Sequence, residues 1–327
     1  MPLRDIPGQD RVKAQLSAAL RHGAVSHAYV FEGPRGTGRK AAALALAQAL
    51  QCESGGADAC GICAECRKAA NGNHPGIMLI DPEGASVKLD QIRDLQRQFA
   101  YKSDGGKPRV YIIEEADRMT AQAANALLKF LEEPGAGTVA VLITENYGGL
   151  LPTIRSRAQR LTFVPLAPEK MEEALLAEGH PAELVRCAVR LAPGIAAARE
   201  LIQEHGFAEA RNTVLQLAEE SSRGFPAAVV AAQGAAGKGE GAGRMELLFD
   251  MFALWSKDML ALNLKRQEAA VVLIDRNERN LRMAAAKAPE HWIAVMEQAL
   301  KAKRRLRGNA NPQMVLERFL YALQGGT

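Results

Sequence analysis

"HAYVFEGPRGTGRKAAA", residues 27–43, decides how the rest of the chain is read. A short apolar run, Ala28 to Phe31, meets three glycines, Gly33, Gly36 and Gly38, and then an alanine-rich helix former. Strand, glycine turn and helix are the setting of a phosphate-binding loop, where backbone N–H groups converge at a helix N-terminus. The pattern G-x-x-x-x-G-K-[ST] is kept at Gly33 and Gly38 and lost at the next two positions. Arg39 stands where the lysine belongs, and a planar guanidinium is not equivalent to a compact ammonium. Lys40 stands where the hydroxyl belongs and offers Mg²⁺ no oxygen. Held at ~4 Å in an effective dielectric of ~20, its charge would repel a divalent cation by about 8 kcal/mol. The stretch therefore predicts a phosphate-loop fold with an impaired site; the alternative is a glycine turn unrelated to nucleotides.

The flanking sequence repeats the strand–helix alternation. "IMLID" (77–81), "RVYII" (109–113), "TVAVLIT" (138–144) and "QRLTF" (159–163) read as further strands. "GQDRVKAQLSAALRHG", "KLDQIRDLQRQFAY" and "TAQAANALLKFLEEPG" read as helices, the last stopped by Pro134 and Gly135. This order predicts a largely parallel α/β sheet covered on both faces. After Pro165 no strand pattern remains. The expected domains are an α/β domain over 1–165, a small helical domain over 166–207 and a helical domain over 208–327, with a mobile glycine-rich loop at "QGAAGKGEGAGR" (233–244).

Residues 53–76 read as an inserted loop carrying a cysteine cluster: Cys52, Cys60, Cys63 and Cys66. Two-residue gaps let neighbouring thiolates face one ion, and four sulfurs in a closed shell suit structural Zn²⁺. An iron–sulfur cluster is the rival reading, although the bacterial run ending C-x₃-C-P is absent. His74 is a substitute ligand. Cys187 sits in an apolar helical pattern and is expected in a core. Glu114 and Glu115 end the strand "VYII", where an active phosphate-loop enzyme carries Asp then Glu; Glu114 is one methylene too long. Arg155 and Arg157 in "TIRSRAQR" are open to two readings, surface arginines or an arginine supplied to a phosphate on another subunit. "KAKRRLR" (301–307) offers five cations to a nucleic-acid backbone, a subunit contact or solvent. A helix then restarts with Asn311 as N-cap and Pro312 first in the helix.

Composition excludes little beyond extremes. The chain has 327 residues, 48% hydrophobic and 24% charged, with a formal charge of +4. That is the profile of a globular protein, with too mild a charge to argue for nucleic acid without a basic patch. No apolar run approaches the length of a bilayer span and no signal region opens the chain, so a cytoplasmic location is expected. Cysteines in such a chain read as metal ligands or core residues before disulfides.

Taken in order, "IPGQDRV", "HAYVFEGPRGTGRKAAA", the four cysteines, "NHPG", "VYIIEEADRMTAQAANALLKFLEEP", "LPTIRSRAQRLTF" and "NANPQMVLE" resemble the delta-prime family of bacterial clamp-loader subunits. These are AAA+ proteins of the replicative DNA polymerase holoenzyme. The resemblance implies an AAA+ domain with a zinc module, a helical lid and a helical collar that joins subunits in a ring. It implies gamma/tau and delta subunits as partners, with the sliding clamp and primed DNA engaged through the complex. It also implies a stationary subunit with no ATP hydrolysis of its own. The family's S-R-C motif stands here as Ser156–Arg157–Ala158, which makes Arg157 the candidate finger for a neighbour's ATP. Thr144 matches a strand-end residue that senses phosphate in active relatives. Ala197 falls where those relatives carry a sensing arginine, with Arg199 close by. A weakly active ATPase and a zinc-dependent DNA-binding module are the alternative functions.

Overall fold

A computed structural model describes residues 1–100, 106–132, 137–204, 206–236, 242–265, 271–273 and 278–325. The chain divides into two compact units, Met1–Ala167 and Pro168–Thr327. The first holds five strands, β1 (Ala28–Glu32), β2 (Ile77–Ile80), β3 (Arg109–Ile113), β4 (Thr138–Thr144) and β5 (Gln159–Thr162). Six helices accompany them: α1 (Asp10–Arg21), α2 (Arg39–Gln51), α3 (Ala64–Ala70), α4 (Leu89–Ala100), α5 (Ala121–Glu132) and α6 (Pro152–Arg155). The strands form one sheet in the order β2-β3-β4-β1-β5 with every pairing parallel.

Alternation along the strands builds two cores, because successive side chains leave a strand on opposite faces. Tyr29 and Phe31 of β1, Val110 and Ile112 of β3, and Val141 and Ile143 of β4 meet Val12 and Leu16 of α1 and Leu46 of α2. Val30, Tyr111, Ile113 and Leu142 face the other way, against Ile92 and Leu95 of α4 and Leu127 of α5. Burial on both faces explains why β1, β3 and β4 read as continuous apolar runs.

Parallel pairing places the C-terminal ends of β1, β2, β3 and β4 along one edge, where open α/β sheets place their sites. Gly33 leaves β1 pressed against the end of β5: a Cβ there would lie 2.4 Å from the Phe163 carbonyl oxygen. Its own N–H donates to Thr144 O at the end of β4 (3.2 Å), while Phe163 N–H donates to Glu32 O (2.7 Å). The glycine turn is thus a structural joint of three strands, independent of any ligand.

The second unit contains nine helices among the described residues: α7 (Pro168–Ala177), α8 (Ala182–Leu191), α9 (Ile195–Gln203), α10 (Phe207–Arg223), α11 (Phe225–Ala236), α12 (Ala242–Asn263), α13 (Glu278–Ala285), α14 (Pro289–Arg307) and α15 (Pro312–Leu323). Asp258 of α12 is fully buried and accepts the backbone N–H of Val272 (3.0 Å) and Leu273 (2.6 Å). Cys187 is fully buried in α8, as its apolar pattern predicts, and burial pushes its thiol up to about 11. Asn311 caps α15 by accepting Met314 N–H at 3.2 Å, with Pro312 first in the helix.

Two sequence expectations are corrected, and a third falls outside the described residues. The insert at 53–76 is not all loop: Ala64–Ala70 forms α3, capped by Cys63, whose sulfur accepts Cys66 N–H. The glycine-rich stretch 233–244 is helical at both ends, since α11 runs to Ala236 and α12 starts at Ala242; alanines there support helix, and residues 237–241 lie outside the described residues. The proposed stops of α5, Pro134 and Gly135, also lie outside them.

Substituting alanine at Gly33 is expected to cost about 3 kcal/mol, because the Phe163 backbone must move. The control is Gly23, where a Cβ meets nothing within 4 Å at φ +62°, and alanine should cost roughly 1 kcal/mol from backbone strain alone. Urea unfolding midpoints compare the two, and equal losses would remove the strand joint from the account.

Candidate functional site: a self-neutralised phosphate loop and a four-cysteine cluster

The loop between β1 and α2 keeps the conformation its glycines permit. Gly36 and Gly38 have φ +77° and +85°, values that L side chains rarely adopt. Thr37 is buried and its hydroxyl donates to Pro34 O at 2.8 Å, closing the turn. Arg39, first residue of α2, does not extend from the loop. It is 9% exposed, and its guanidinium donates to Thr144 O at 2.5 Å and lies 3.8 Å from the Glu145 carboxylate. Burial pulls its pKa below the usual arginine range, and Glu145, Glu114 and Asp117 oppose that pull; a guanidinium remains charged in such a setting.

The other loop cations are taken in the same way. Lys40 Nζ sits between Glu114 (3.2 Å) and Asp81 (3.3 Å). Its contact with Glu114 is close but off the hydrogen-bond direction. Burial lowers the Lys40 pKa, but Glu114 and then Asp81 outweigh it, so the ammonium is held above its ordinary value. Arg35 donates to Glu145 at 2.7 Å and to Glu115 at 2.5 Å, and Glu115 also pairs with Arg118 at 2.8 Å. Glu115 has φ +47° and ψ +47°, an uncommon conformation for a residue with a Cβ. The structure thus brings Gly33, Gly36, Gly38, Arg39, Lys40, Glu114 and Glu115 to one sheet edge, with the three cations neutralised by the chain's own carboxylates.

Two features of this edge were not legible in the sequence. Asp117 returns to the site through the single turn Ala116–Arg118 and accepts the Thr144 hydroxyl at 2.6 Å. Thr144 is fully buried and its hydroxyl also accepts Asn146 N–H at 3.0 Å, so the oxygen is satisfied from within the chain. No spacing rule flags an aspartate three residues beyond a strand-end glutamate.

Arg157 lies just past α6. It donates to Thr153 O at 3.0 Å and Ser156 Oγ at 3.3 Å, and pairs with Glu132 at the end of α5 at 2.8 Å. Its side chain is 36% exposed, and both terminal nitrogens of the guanidinium have partners within the chain. Arg155 is set apart from it, its guanidinium 5.5 Å from the Tyr147 ring centre. Ala158 packs against the core beside α5. In the second unit, Arg199 is held bidentately by Glu178, at 2.7 and 2.6 Å, and Ala197 is half-buried. In the basic run, Lys303 pairs with Asp250 at 2.5 Å and Arg307 with Glu246 at 2.9 Å, so part of its charge joins α14 to α12.

Cys52, Cys60, Cys63 and Cys66 form a second site. Their sulfurs all lie within 4.8 Å of one another, and Cys60 and Cys66 are 3.9 Å apart. A tetrahedral ion with Zn–S bonds of ~2.3 Å requires sulfurs roughly 3.8 Å apart, so the cluster is compatible with zinc. The cysteines are unpaired as disulfides. Backbone N–H groups of Cys60, Cys63 and Cys66 donate to Cys52, Cys60 and Cys63 sulfurs in turn, each at 3.4 Å, which favours thiolates. The N–H groups of Ile62 and Cys63 bring Cys60 down to about 6, whereas burial raises Cys66 to about 12. His74 is not brought into the set. Its Nδ1 accepts Gly76 N–H at 3.0 Å and its Nε2 lies 2.7 Å from Glu65 Oε2, off the ideal hydrogen-bond direction. It pins α3 to the start of β2 instead.

A parallel five-stranded sheet with a glycine loop after β1, opening a helix, and acidic strand ends beside it is the fold of the phosphate-loop class of α/β proteins. A family model described as "DNA polymerase III, delta subunit" matches residues 8–167. The chain is 36% identical over 323 residues to DNA polymerase III subunit delta' of Bacillus subtilis, covering 97% of each chain. It is 30% identical over 315 residues to the delta' subunit of Pseudomonas aeruginosa, covering 95% of this chain and 94% of that one. It is 40% identical over 176 residues to the gamma/tau subunit of Mycobacterium tuberculosis H37Rv, a match spanning 53% of this chain and 30% of that one. The chain belongs to the delta-prime subunits of DNA polymerase III, components of its clamp loader. No helix among the described residues is long and apolar enough to cross a membrane.

Because a metal competes with protons for sulfur, zinc affinity is expected to rise between pH 6 and pH 8, as Cys66, at about 12, must lose its proton to ligate. Competition titrations with a chromophoric chelator measure this, and a pH-independent affinity would contradict the thiolate assignment.

Proposed function

We propose that this subunit is a non-hydrolysing stator of the clamp loader and supplies Arg157 to the ATP site of a neighbouring gamma/tau subunit. The observation that carries the reading is the occupation of every loop cation from within: Arg39 by Thr144 O and Glu145, Lys40 by Glu114 and Asp81, Arg35 by Glu145 and Glu115. A triphosphate entering this loop would have to break that network, and Mg²⁺ would find an ammonium where an oxygen ligand is needed. The P-loop is degenerate, and the chain has no ATPase activity of its own.

Arg157 lies away from that loop. It is half-buried, just past a one-turn helix, and is held by Thr153 O and Ser156 Oγ. Its Glu132 partner is a carboxylate 49% exposed, and a surface pair of this kind contributes little. Exchanging that carboxylate for the more highly charged phosphates of a neighbour's ATP, in a site closed by the subunit contact, favours transfer of the guanidinium. There it would stabilise charge on the transferring phosphoryl group.

The same reading assigns α7–α9 to a lid and α10–α15 to a collar that joins gamma/tau and delta subunits in a ring. Zn²⁺ in the four-cysteine cluster is structural. ATP-driven opening of the sliding clamp and its loading on primed DNA belong to the complex, in the cytoplasm.

Arg157→Ala in a ring reconstituted with gamma/tau and delta is expected to slow hydrolysis at the adjacent site by about 10³. This appears as loss of that site's share of clamp- and DNA-stimulated ATPase, with the ring intact by size-exclusion chromatography. An unchanged rate would refute the finger role.

A further inference from the structure

Residues 1–9 precede α1 and hold no strand pairing, yet they are tightly placed. Leu3 and Ile6 are 1% and 2% exposed. Leu3 N–H donates to Asp58 Oδ1 at 2.8 Å and Arg4 N–H to Asp58 Oδ2 at 3.1 Å, so one carboxylate receives two consecutive amides. Asp58 lies between Cys52 and Cys60, inside the loop that the cysteines close, and also accepts Ala59 N–H at 2.8 Å. Gln48 of α2 anchors the far side of that loop by donating to Cys66 O at 2.9 Å.

The other end of the segment reaches the phosphate-type loop. The Ile6 side chain faces Gly38, where a Cβ would lie 3.4 Å from it. Gln9 donates to Thr37 O at 3.1 Å and to Val164 O at 2.6 Å, and its own oxygen accepts Val164 N–H at 3.2 Å. Gln9 holds φ +58°, which sets it between the loop and the chain leaving β5. Nine residues therefore bridge the two sites of this unit. Burial of Leu3 and Ile6 attaches the segment to the core but is non-directional; its register is set by the hydrogen bonds at its two ends.

We propose that Asp58 is a positioning residue through which the cysteine cluster sets the phosphate-type loop. With metal bound, the insert holds Asp58 in place, Asp58 clamps residues 3 and 4, and the clamped segment holds Ile6 and Gln9 against Gly38 and Thr37. The insert contributes only Ala59 and Cys66 to a small core that it shares with Ala49 and Cys52 at the end of α2, so without metal the carboxylate loses its fixed position. The zinc module then serves the geometry of the sheet edge, and the shape of the loop is maintained without nucleotide. This inference rests on zinc occupying the cluster.

Hydrogen exchange of the full-length chain, read by mass spectrometry, tests it, with zinc content measured in parallel. Three samples are compared: zinc-loaded protein, chelator-treated protein, and zinc-loaded Asp58→Ala. Chelation is expected to speed exchange at least tenfold in peptides covering 1–9, with a smaller rise over 33–40 as well as 53–66. Asp58→Ala should speed 1–9 and 33–40 while 53–66 stays protected and zinc stays bound. Unchanged protection in β3 and β4 peptides shows that the sheet stands in each sample. Exchange rising only in 53–66 on chelation, or an Asp58→Ala protein with wild-type protection over 1–9 and 33–40, would overturn the coupling. A chain that binds no zinc would refute the metal reading alone, leaving the Asp58→Ala comparison to decide whether this carboxylate holds the loop.

Discussion

The hydrogen bond from the buried Arg39 guanidinium to the Thr144 carbonyl, 2.5 Å long, ties the glycine loop to the end of the central strand pair. A cation so deeply buried is costly unless its donors and charge are met. Thr144 O, with Glu145 close by, supplies that partner, and the same Glu145 carboxylate draws Arg35 across the loop. Lys40, turned the other way, takes Glu114 and Asp81. The loop cations at the C-terminal edge of the sheet are therefore paired by the chain's own carboxylates. The proposed loss of nucleotide chemistry follows from that constraint: the loop cations are held in internal ion pairs, whereas Arg157, whose carboxylate partner is the half-exposed Glu132, lies outside the loop.

The same economy runs through the rest of the first unit. Gly33 is required by the approach of the Phe163 backbone, whatever binds in the loop. His74, equipped to ligate a metal, orients α3 through Glu65. Asp58 serves two amides that have no strand to pair with. In each case a residue type associated with ligand chemistry meets a backbone requirement of the fold. Motif matching alone would misassign them.

The sheet was largely legible in the sequence because β1, β3 and β4 are buried on both faces and so carry unbroken apolar runs, and because glycines mark the turn after β1. The cysteine cluster was legible for the same local reason, since ligands spaced by two residues must face one point. What was hidden depends on long-range closure. The inward turn of Arg39 is decided by a carbonyl more than a hundred residues away, and Asp117 reaches the site through a turn whose direction no local pattern reveals. The helix α3 was missed because glycine, asparagine and cysteine around it carry weak helix propensity; Cys63 starts it by capping, and the cluster holds it. Arg157 is a candidate only through the resemblance of its surroundings to the delta-prime family, and its pairing with Glu132 is visible only in three dimensions.

The proposed stator has a loop in which internal ion pairs stand in place of nucleotide. A calorimetric titration of the isolated full-length chain with Mg-ATP, with released phosphate assayed in the same cell, tests it most directly. The account predicts no saturable heat at micromolar nucleotide and no phosphate above the buffer control. Micromolar binding accompanied by turnover would contradict it, and would make this subunit a motor in its own right.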